Sequence, residues 1–304
     1  MQPRDNLILE FWDRSRELNI GNKNYRDFIN KFFSVLLESD IKNGDLASDS
    51  LVKKNKSVSA FIIAKEYGIL AGIEEFKFLN RDLDIKQLKN DGDNVKRGEI
   101  LLKLDGNALK ILQRERTNLN LLQRMSGIAT LTNSLSKKAG NVKIAATRKT
   151  LWGLLDKKAV SAGGGLTHRL SLNDGVIIKD NHLSLMNCDF KKAINSTKKK
   201  SKYIEMEVES KKQALKAAYA IKKTVKKNDK NFYAIMLDNI NPANIKWIIK
   251  NFKSKNLYDC ILLEASGNIN ESNLKEYSGC GADIVSMGCI TNSAKALDIS
   301  QEIR

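Results

Sequence analysis

Apolar residues recur at helical spacing through residues 6–40, as in FINKFFSVLLESD, and predict helix there. From about residue 57 the period shortens to that of strands: SVSAFIIAKEYGILAG, then DGDNVKRGEILLKLDG, which reads as a hairpin. Beyond Arg116 the helical period returns in TNLNLLQRMSGIATLTNSLSKKAG. From residue 142 short apolar runs alternate with amphipathic ones. VKIAAT (142–147), GVIIKD (175–180), YIEMEV (203–208), YAIMLD (233–238), CILLEA (260–265) and DIVSMG (283–288) predict strands. KKQALKAAYAIKKTVKK and NPANIKWIIKNF predict helices between them. This alternation predicts parallel β/α units, and the mostly apolar strands fit a sheet covered on both faces. A nearly closed barrel and an open doubly wound sheet both satisfy the pattern. The change of character divides the chain into an N-terminal α/β domain, residues 1–115, and a β/α domain, residues 116–289.

Each predicted strand runs into polar residues. The first leads to Thr147-Arg148-Lys149, the second to Lys179-Asp180, the fourth to Asp238-Asn239. The third carries Glu205, Glu207 and Glu209 at alternate positions of one strand face, a crowding that one or two of them would relieve by pairing with Arg148 or Lys179. The fifth leads to Glu264-Ala265-Ser266-Gly267 and the sixth to Ser286-Met287-Gly288. The C-terminal ends of strands build the active site of β/α barrels. Arg148, Lys149, Arg169 and Lys179 come early in the chain order, and cations gathered away from water need anions beside them. Arginine suits carboxylate or phosphate through its planar fork. Glu207 and Asp238 suit sugar hydroxyls or Mg²⁺, and the late glycines suit a phosphate. The residues therefore point to carboxylates, a hydroxyl-bearing sugar and a terminal phosphate.

Composition narrows the class. A hydrophobic content of 42% over 304 residues supplies a core, and no apolar run reaches the ~20 residues of a membrane-spanning helix. MQPRDNLILEFWDR carries charges through its apolar run and does not read as a signal peptide. The four cysteines form no C-x-x-C pair and read as reduced, buried apolar fillers in a cytoplasmic protein. The net charge is +17, yet the runs KKNK (53–56), KKK (198–200) and KKTVKK (222–227) lack interleaved aromatics. They read as solvated helix faces, so no nucleic-acid or membrane partner is expected. Both histidines of the chain fall within AGGGLTHRLSLNDGVIIKDNH (162–182). His168 sits between three glycines and Arg169 and reads as part of the anion grip. His182 reads equally as a structural hydrogen-bonding group or a ligand contact. The glycines 163–165 mark a loop of positive φ or close backbone approach.

Together the motifs resemble quinolinate phosphoribosyltransferase. The phrases are GDLASD (44–49), ERTNLNLLQRMSGIAT (115–130), TRKT (147–150), GGGLTHRLSLNDGVIIKDNH (163–182), EMEVES (205–210), MLDN (236–239), LEASGNI (263–269) and SMGCIT (286–291). The resemblance implies an incomplete, seven-stranded β/α barrel beside an N-terminal α/β sandwich domain. It implies that a C-terminal segment near 290–304, read as a helix in ALDISQEIR, returns to that first domain. It implies transfer of phosphoribosyl from phosphoribosyl pyrophosphate to quinolinate with loss of carbon dioxide, using Mg²⁺, in NAD synthesis. Arg148, His168, Arg169 and Lys179 would then hold the quinolinate carboxylates, with Arg116 reaching in from the partner of a homodimer or dimer-based hexamer. Lys149 would face the phosphoribosyl donor. Glu207 and Asp238 would address the ribose hydroxyls and the metal. Ser266, Gly267 and Gly288 would lie at the phosphate end.

One departure stands out: after TRKT the family often continues T-P-G, where this chain has Leu151-Trp152-Gly153. Two other enzyme readings compete. A ModD-type phosphoribosyltransferase acting on another anionic acceptor shares the barrel and T-R-K-T but typically lacks I-K-D-N-H, which is intact here at 178–182. A Schiff-base aldolase would use Lys179 at its strand end.

Overall fold

The computed structural model describes residues 4–225 and 230–304, so Lys226 and Lys227 of the third lysine run lie outside it. The chain forms two compact units. One comprises Ser15–Asn133, Leu151–Gly164 and Ser293–Arg304, the other residues up to Arg14 with Ser134–Thr150 and Gly165–Asn292. The sequence boundary at 115/116 falls inside a 32-residue helix, Ala108–Ala139, which starts earlier than its apolar pattern indicated.

The first unit holds strands β1 (Ser57–Ala64), β2 (Gly68–Ile69), β3 (Asp84–Gln87), β4 (Asn94–Val95) and β5 (Ile100–Asn107). The C-terminal strand Ile299–Ile303, β1, β5 and β3 form an antiparallel sheet in that order, while β2 pairs with β4. The expected hairpin over residues 91–106 is therefore absent. β5 takes the length of β1, and β4 instead meets β2, with Gly92 N–H donating to Leu70 O at 2.8 Å. The chain's end is a strand on the edge of β1, not a helix.

In the same unit the helix Lys23–Ile41 starts at Asn22, whose side chain accepts from the N–H groups of Asn24 and Tyr25. Its buried Tyr25, Ile29 and Phe33 recur every four residues. Tyr25 donates its hydroxyl to Glu75 Oε1 at 2.7 Å. Burial first, then the nearby Asp91 carboxylate, pushes Glu75 up to about 7. A raised carboxyl favours the folded state when protonated, so its contribution is full below the unfolded value near 4.5 and is lost as pH rises towards 7. Unfolding free energy should fall by about 3 kcal/mol across that interval from this group. Urea titrations of Glu75→Gln, which keeps an acceptor for Tyr25, should show that slope flattened. An unchanged slope would reject the assignment.

The second unit holds β6 (Lys143–Ala145), β7 (Val176–Ile178), β8 (Tyr203–Val208), β9 (Phe232–Asp238), β10 (Leu262–Ser266) and β11 (Ile284–Ser286). All six match predicted strands and form a parallel sheet ordered β6-β11-β10-β9-β8-β7. The seventh strand of the expected barrel is reduced to a single parallel bridge, Ala145 to Leu166. Residues 4–12, expected in the N-terminal domain, form a helix that belongs to this unit. Ile8, Phe11 and Trp12 pack against Leu262 and Ile284, the first residues of β10 and β11, and against Ala145, Leu166 and Ala234. With Tyr203 and Phe232 in the same cluster, they cover the N-terminal ends of β8, β9, β10 and β11.

The lysine runs are solvated: Lys53, Lys54, Lys56, Lys199, Lys200, Lys222 and Lys223 are exposed. Among the described residues no helix is long and apolar enough to cross a membrane.

Candidate active site

A cavity of about 570 Å³ opens at the C-terminal ends of the parallel strands. Thr147, Arg148 and Lys149 reach it from β6, Lys179 from β7, Glu207 from β8 and Asp238 from the end of β9. Ser266 and Gly267 follow β10, and Ser286 and Gly288 follow β11. His168 and Arg169 line it too, because the bridge at Leu166 delivers the next residues to the rim where a seventh strand would end. Arg116 is not among the lining residues; it belongs to the other unit and is exposed there.

The cationic side is short of partners. Among the described residues neither Arg148 nor Lys149 enters an ion pair. Arg169 is buried, donates from Nη1 to Gly175 O at 2.7 Å, and keeps a buried Nε with no hydrogen-bond partner. Burial first, then the neighbouring Arg148 charge, lowers the Arg169 guanidinium from its ordinary value. A buried arginine beside the charge of an exposed one calls for an anion at that end of the cavity. Lys179 pairs with Glu207, so one of the three alternating carboxylates meets a cation as expected. The Lys179 side chain is 46% exposed and ion-paired, so it lacks the apolar pocket that is one of the two routes to a Schiff-base lysine.

Glu205 takes a different direction. It is 1% exposed and meets His168, with Oε2 3.4 Å from Nε2. Burial, then the Glu264 carboxylate, raises it above the ordinary carboxylate range. Glu264, also fully buried, lies 2.9 Å from His168 Nε2 and accepts from Ser286 Oγ at 2.5 Å. Ser286 Oγ in turn reaches Ser266 Oγ at 3.0 Å. This polar layer, which lines the cavity through His168, Glu264, Ser266 and Ser286, was not anticipated as a unit. Its signal was the alternation Leu262, Glu264, Ser266, which turns three residues of β10 to one face.

The opposite rim is tied by backbone geometry. Gly267 has φ +91°, and a Cβ there would stand 2.5 Å from Asn239 N. Asn239 N–H donates to Ser266 O at 2.9 Å, Asn268 Nδ2 donates to Asn239 Oδ1 at 2.9 Å, and Asn239 Nδ2 donates to Asp238 Oδ2 at 2.9 Å. The loops after β9 and β10 thus fix Asp238 from behind. Asn292, another lining residue, drew no attention in the sequence.

His182 accepts the Lys179 N–H on Nδ1 at 3.0 Å and closes the first turn of the short helix Asp180–Ser184; it does not line the cavity. Of the glycines 163–165, Gly163 is closely approached, since a Cβ there would lie 2.4 Å from Ala129 O, and Gly164 takes φ +88°. Of the cysteines, Cys188 is exposed and Cys280 buried, so the filler reading holds only in part.

Comparison with known proteins places this geometry. Residues 45–126 match the model of the quinolinate phosphoribosyl transferase N-terminal domain and residues 128–302 that of its C-terminal domain. The chain is 38% identical over 279 residues to a probable nicotinate-nucleotide pyrophosphorylase [carboxylating] of Methanothermobacter thermautotrophicus, covering 88% of this chain and 96% of the relative. It is 37% identical over 289 residues to the protein of the same name in Bacillus subtilis, covering 91% and 93%. The solved nicotinate-nucleotide pyrophosphorylase of Francisella tularensis superposes with a TM-score of 0.78 at 30% identity, over 91% of this chain and 96% of that one. Both domain models match in order along one chain, and the strand-end cavity lies within the C-terminal match, so the chain belongs to the quinolinate phosphoribosyltransferase family.

Proposed function

We propose that the cavity brings quinolinate and phosphoribosyl pyrophosphate together and converts them to nicotinate mononucleotide, carbon dioxide and pyrophosphate. This is the carboxylating nicotinate-nucleotide pyrophosphorylase reaction, a pentosyl transfer in de novo NAD biosynthesis. The observation that carries it is Arg169, a buried cation beside the Arg148 charge, whose Nε is left without a hydrogen-bond partner. A dicarboxylate supplies the partner that Arg169 lacks.

In this reading Arg148, Arg169 and Lys179 bind the two quinolinate carboxylates, and Arg116 of a second subunit completes the grip in a homodimer. Lys149, Ser266, Gly267 and Gly288 receive the phosphoribosyl donor. The pyridine nitrogen attacks the anomeric carbon as pyrophosphate departs, so no side-chain nucleophile is required. Glu207 and Asp238 stabilise the positive charge that develops on the ribose. The new ring nitrogen is cationic, which eases loss of the adjacent carboxylate as carbon dioxide: the electron pair left on the ring carbon is stabilised by that charge and takes a proton from water. The protein's main work is to hold two anions in contact that would otherwise repel.

Glu207 and Asp238 offer only oxygen ligands, which fits a hard divalent cation and, in this reading, Mg²⁺. Bound there, the ion would neutralise charge on the departing pyrophosphate. The same reading places the enzyme in the cytoplasm, where both anionic substrates are handled.

The test is product formation. Purified protein with phosphoribosyl pyrophosphate and Mg²⁺ should make nicotinate mononucleotide from quinolinate, with carbon dioxide released in equal amount. Nicotinate offered in its place should give little product. Turnover of nicotinate and not quinolinate would defeat the reading.

A further inference from the structure

His168 lines the cavity, yet both of its ring nitrogens are engaged by the protein. Nδ1 lies 2.8 Å from the backbone nitrogen of Arg169. A backbone N–H only donates, so Nδ1 must present its lone pair. The ring proton then sits on Nε2, facing Glu264 Oε2 at 2.9 Å. Glu264 is fixed on its other side by Ser286. The backbone at His168 is itself held in a left-handed conformation, φ +55°, with its N–H donated to Trp12 O at 2.7 Å. A non-glycine residue is strained there and persists only when its surroundings over-determine it.

Two forces act on the imidazole. Burial opposes a charge on it, while Glu264 and Glu205 outweigh that and draw it towards the imidazolium form. An imidazolium would set an Nδ1–H against the Arg169 N–H at 2.8 Å, two donors facing each other. The contact with Arg169 therefore selects the neutral ring with its proton on Nε2.

We infer that Glu264 is a positioning residue: by accepting from His168 Nε2 it keeps Nδ1 free to hold the backbone N–H of Arg169, and so sets where the Arg169 side chain meets the substrate carboxylate. His168 is then the link between the buried layer and the anion grip, with no N–H left over for the substrate. The consequence for substrate binding rests on the carboxylate-binding reading of Arg169; the tautomer does not.

The chain's two histidines make the tautomer measurable. In protein carrying ¹⁵N-labelled histidine, long-range ¹H–¹⁵N spectra separate protonated from unprotonated ring nitrogens, and His182→Asn assigns the remaining ring. His168 should show an unprotonated Nδ1 and a protonated Nε2, unchanged when quinolinate is added. A protonated Nδ1, or one that becomes protonated with quinolinate, overturns the proposal whatever the enzyme's substrate. Glu264→Gln can donate as well as accept, so the His168 tautomer should become mixed. The KM for quinolinate should rise about tenfold, the scale on which orienting partners act, with a smaller change in kcat. A folded Glu264→Gln with an unmixed tautomer and unchanged KM also overturns it. If quinolinate is not turned over at all, the functional reading fails while the spectra still decide the tautomer.

Discussion

Arg169→Ala should lower kcat/KM for quinolinate by roughly 10²–10³-fold, through a raised KM or lost turnover, with the fold retained. Removing one member of a buried charge pair costs about 2–5 kcal/mol, which spans that range. Arg169 is the buried cation of the cavity, and burial first, then the Arg148 charge, lowers its guanidinium from the ordinary value. A dianion between them removes that repulsion and is held by both, so losing Arg169 loses binding and relief together. The fold should survive because among the described residues the guanidinium donates to the Gly175 carbonyl and enters no ion pair, while the loop's other anchor, Asp174, pairs with Arg14. Lys179→Ala should act in the same direction, and it additionally frees Glu207. Steady-state kinetics with quinolinate varied at saturating phosphoribosyl pyrophosphate, beside circular dichroism of each variant, decide the matter. Near-normal kcat/KM in both would sink the carboxylate pocket.

The strand ends were legible because a run such as YAIMLD declares its burial and its exit in one dimension. Asp238 ends β9 where the apolar run ends. What local pattern lacks is the partner. Glu205, Glu207 and Glu209 are equivalent by alternation, yet Glu207 meets Lys179, Glu205 lies beside His168, and Glu209 is exposed. Register with β9 and the path of the His168 loop separate them, and neither is written in YIEMEV. The loop was hidden for a related reason: a strand reduced to one bridge at Leu166 has no periodicity to detect. Ile299 and Ile303 stand four residues apart, a spacing that suits a helix face and a strand face alike, and the free edge of β1 decided for strand. Ile8, Phe11 and Trp12 announced a helix correctly, but the surface they cover is built from residues more than 130 positions later. The site was thus readable as a set of side chains at one rim, and unreadable as a network of contacts.

The Leu151-Trp152-Gly153 departure shows how such a network is built, and it carries the second large effect. Asp156 is fully buried. Its Oδ1 accepts from Arg124 Nε at 2.8 Å, and its Oδ2 accepts from Arg124 Nη2 at 2.7 Å and from the N–H groups of Leu151 and Trp152 at 2.9 and 3.0 Å. Trp152 packs beside Phe32 and Phe33, with ring centroids 5.4 and 6.4 Å away, and Gly153 turns the chain at φ +57°. The departing residues are therefore anchored by one carboxylate and one aromatic cluster. Asp156→Ala would take the carboxylate from the Arg124 guanidinium and the acceptor from two backbone donors at once, and breaking a buried pair from one side costs about 3–5 kcal/mol. Urea denaturation should show a loss of that size. Asp156→Asn, which keeps an acceptor but not the charge, should lie between Ala and the parent. Because Lys149 stands two residues before Leu151, a loosened loop should also lower kcat at urea concentrations where the variant is still folded. A loss below about 1 kcal/mol, the range of an exposed pair, would mean that the arginine and the loop N–H groups find other partners, and that the loop's shape is not set by Asp156.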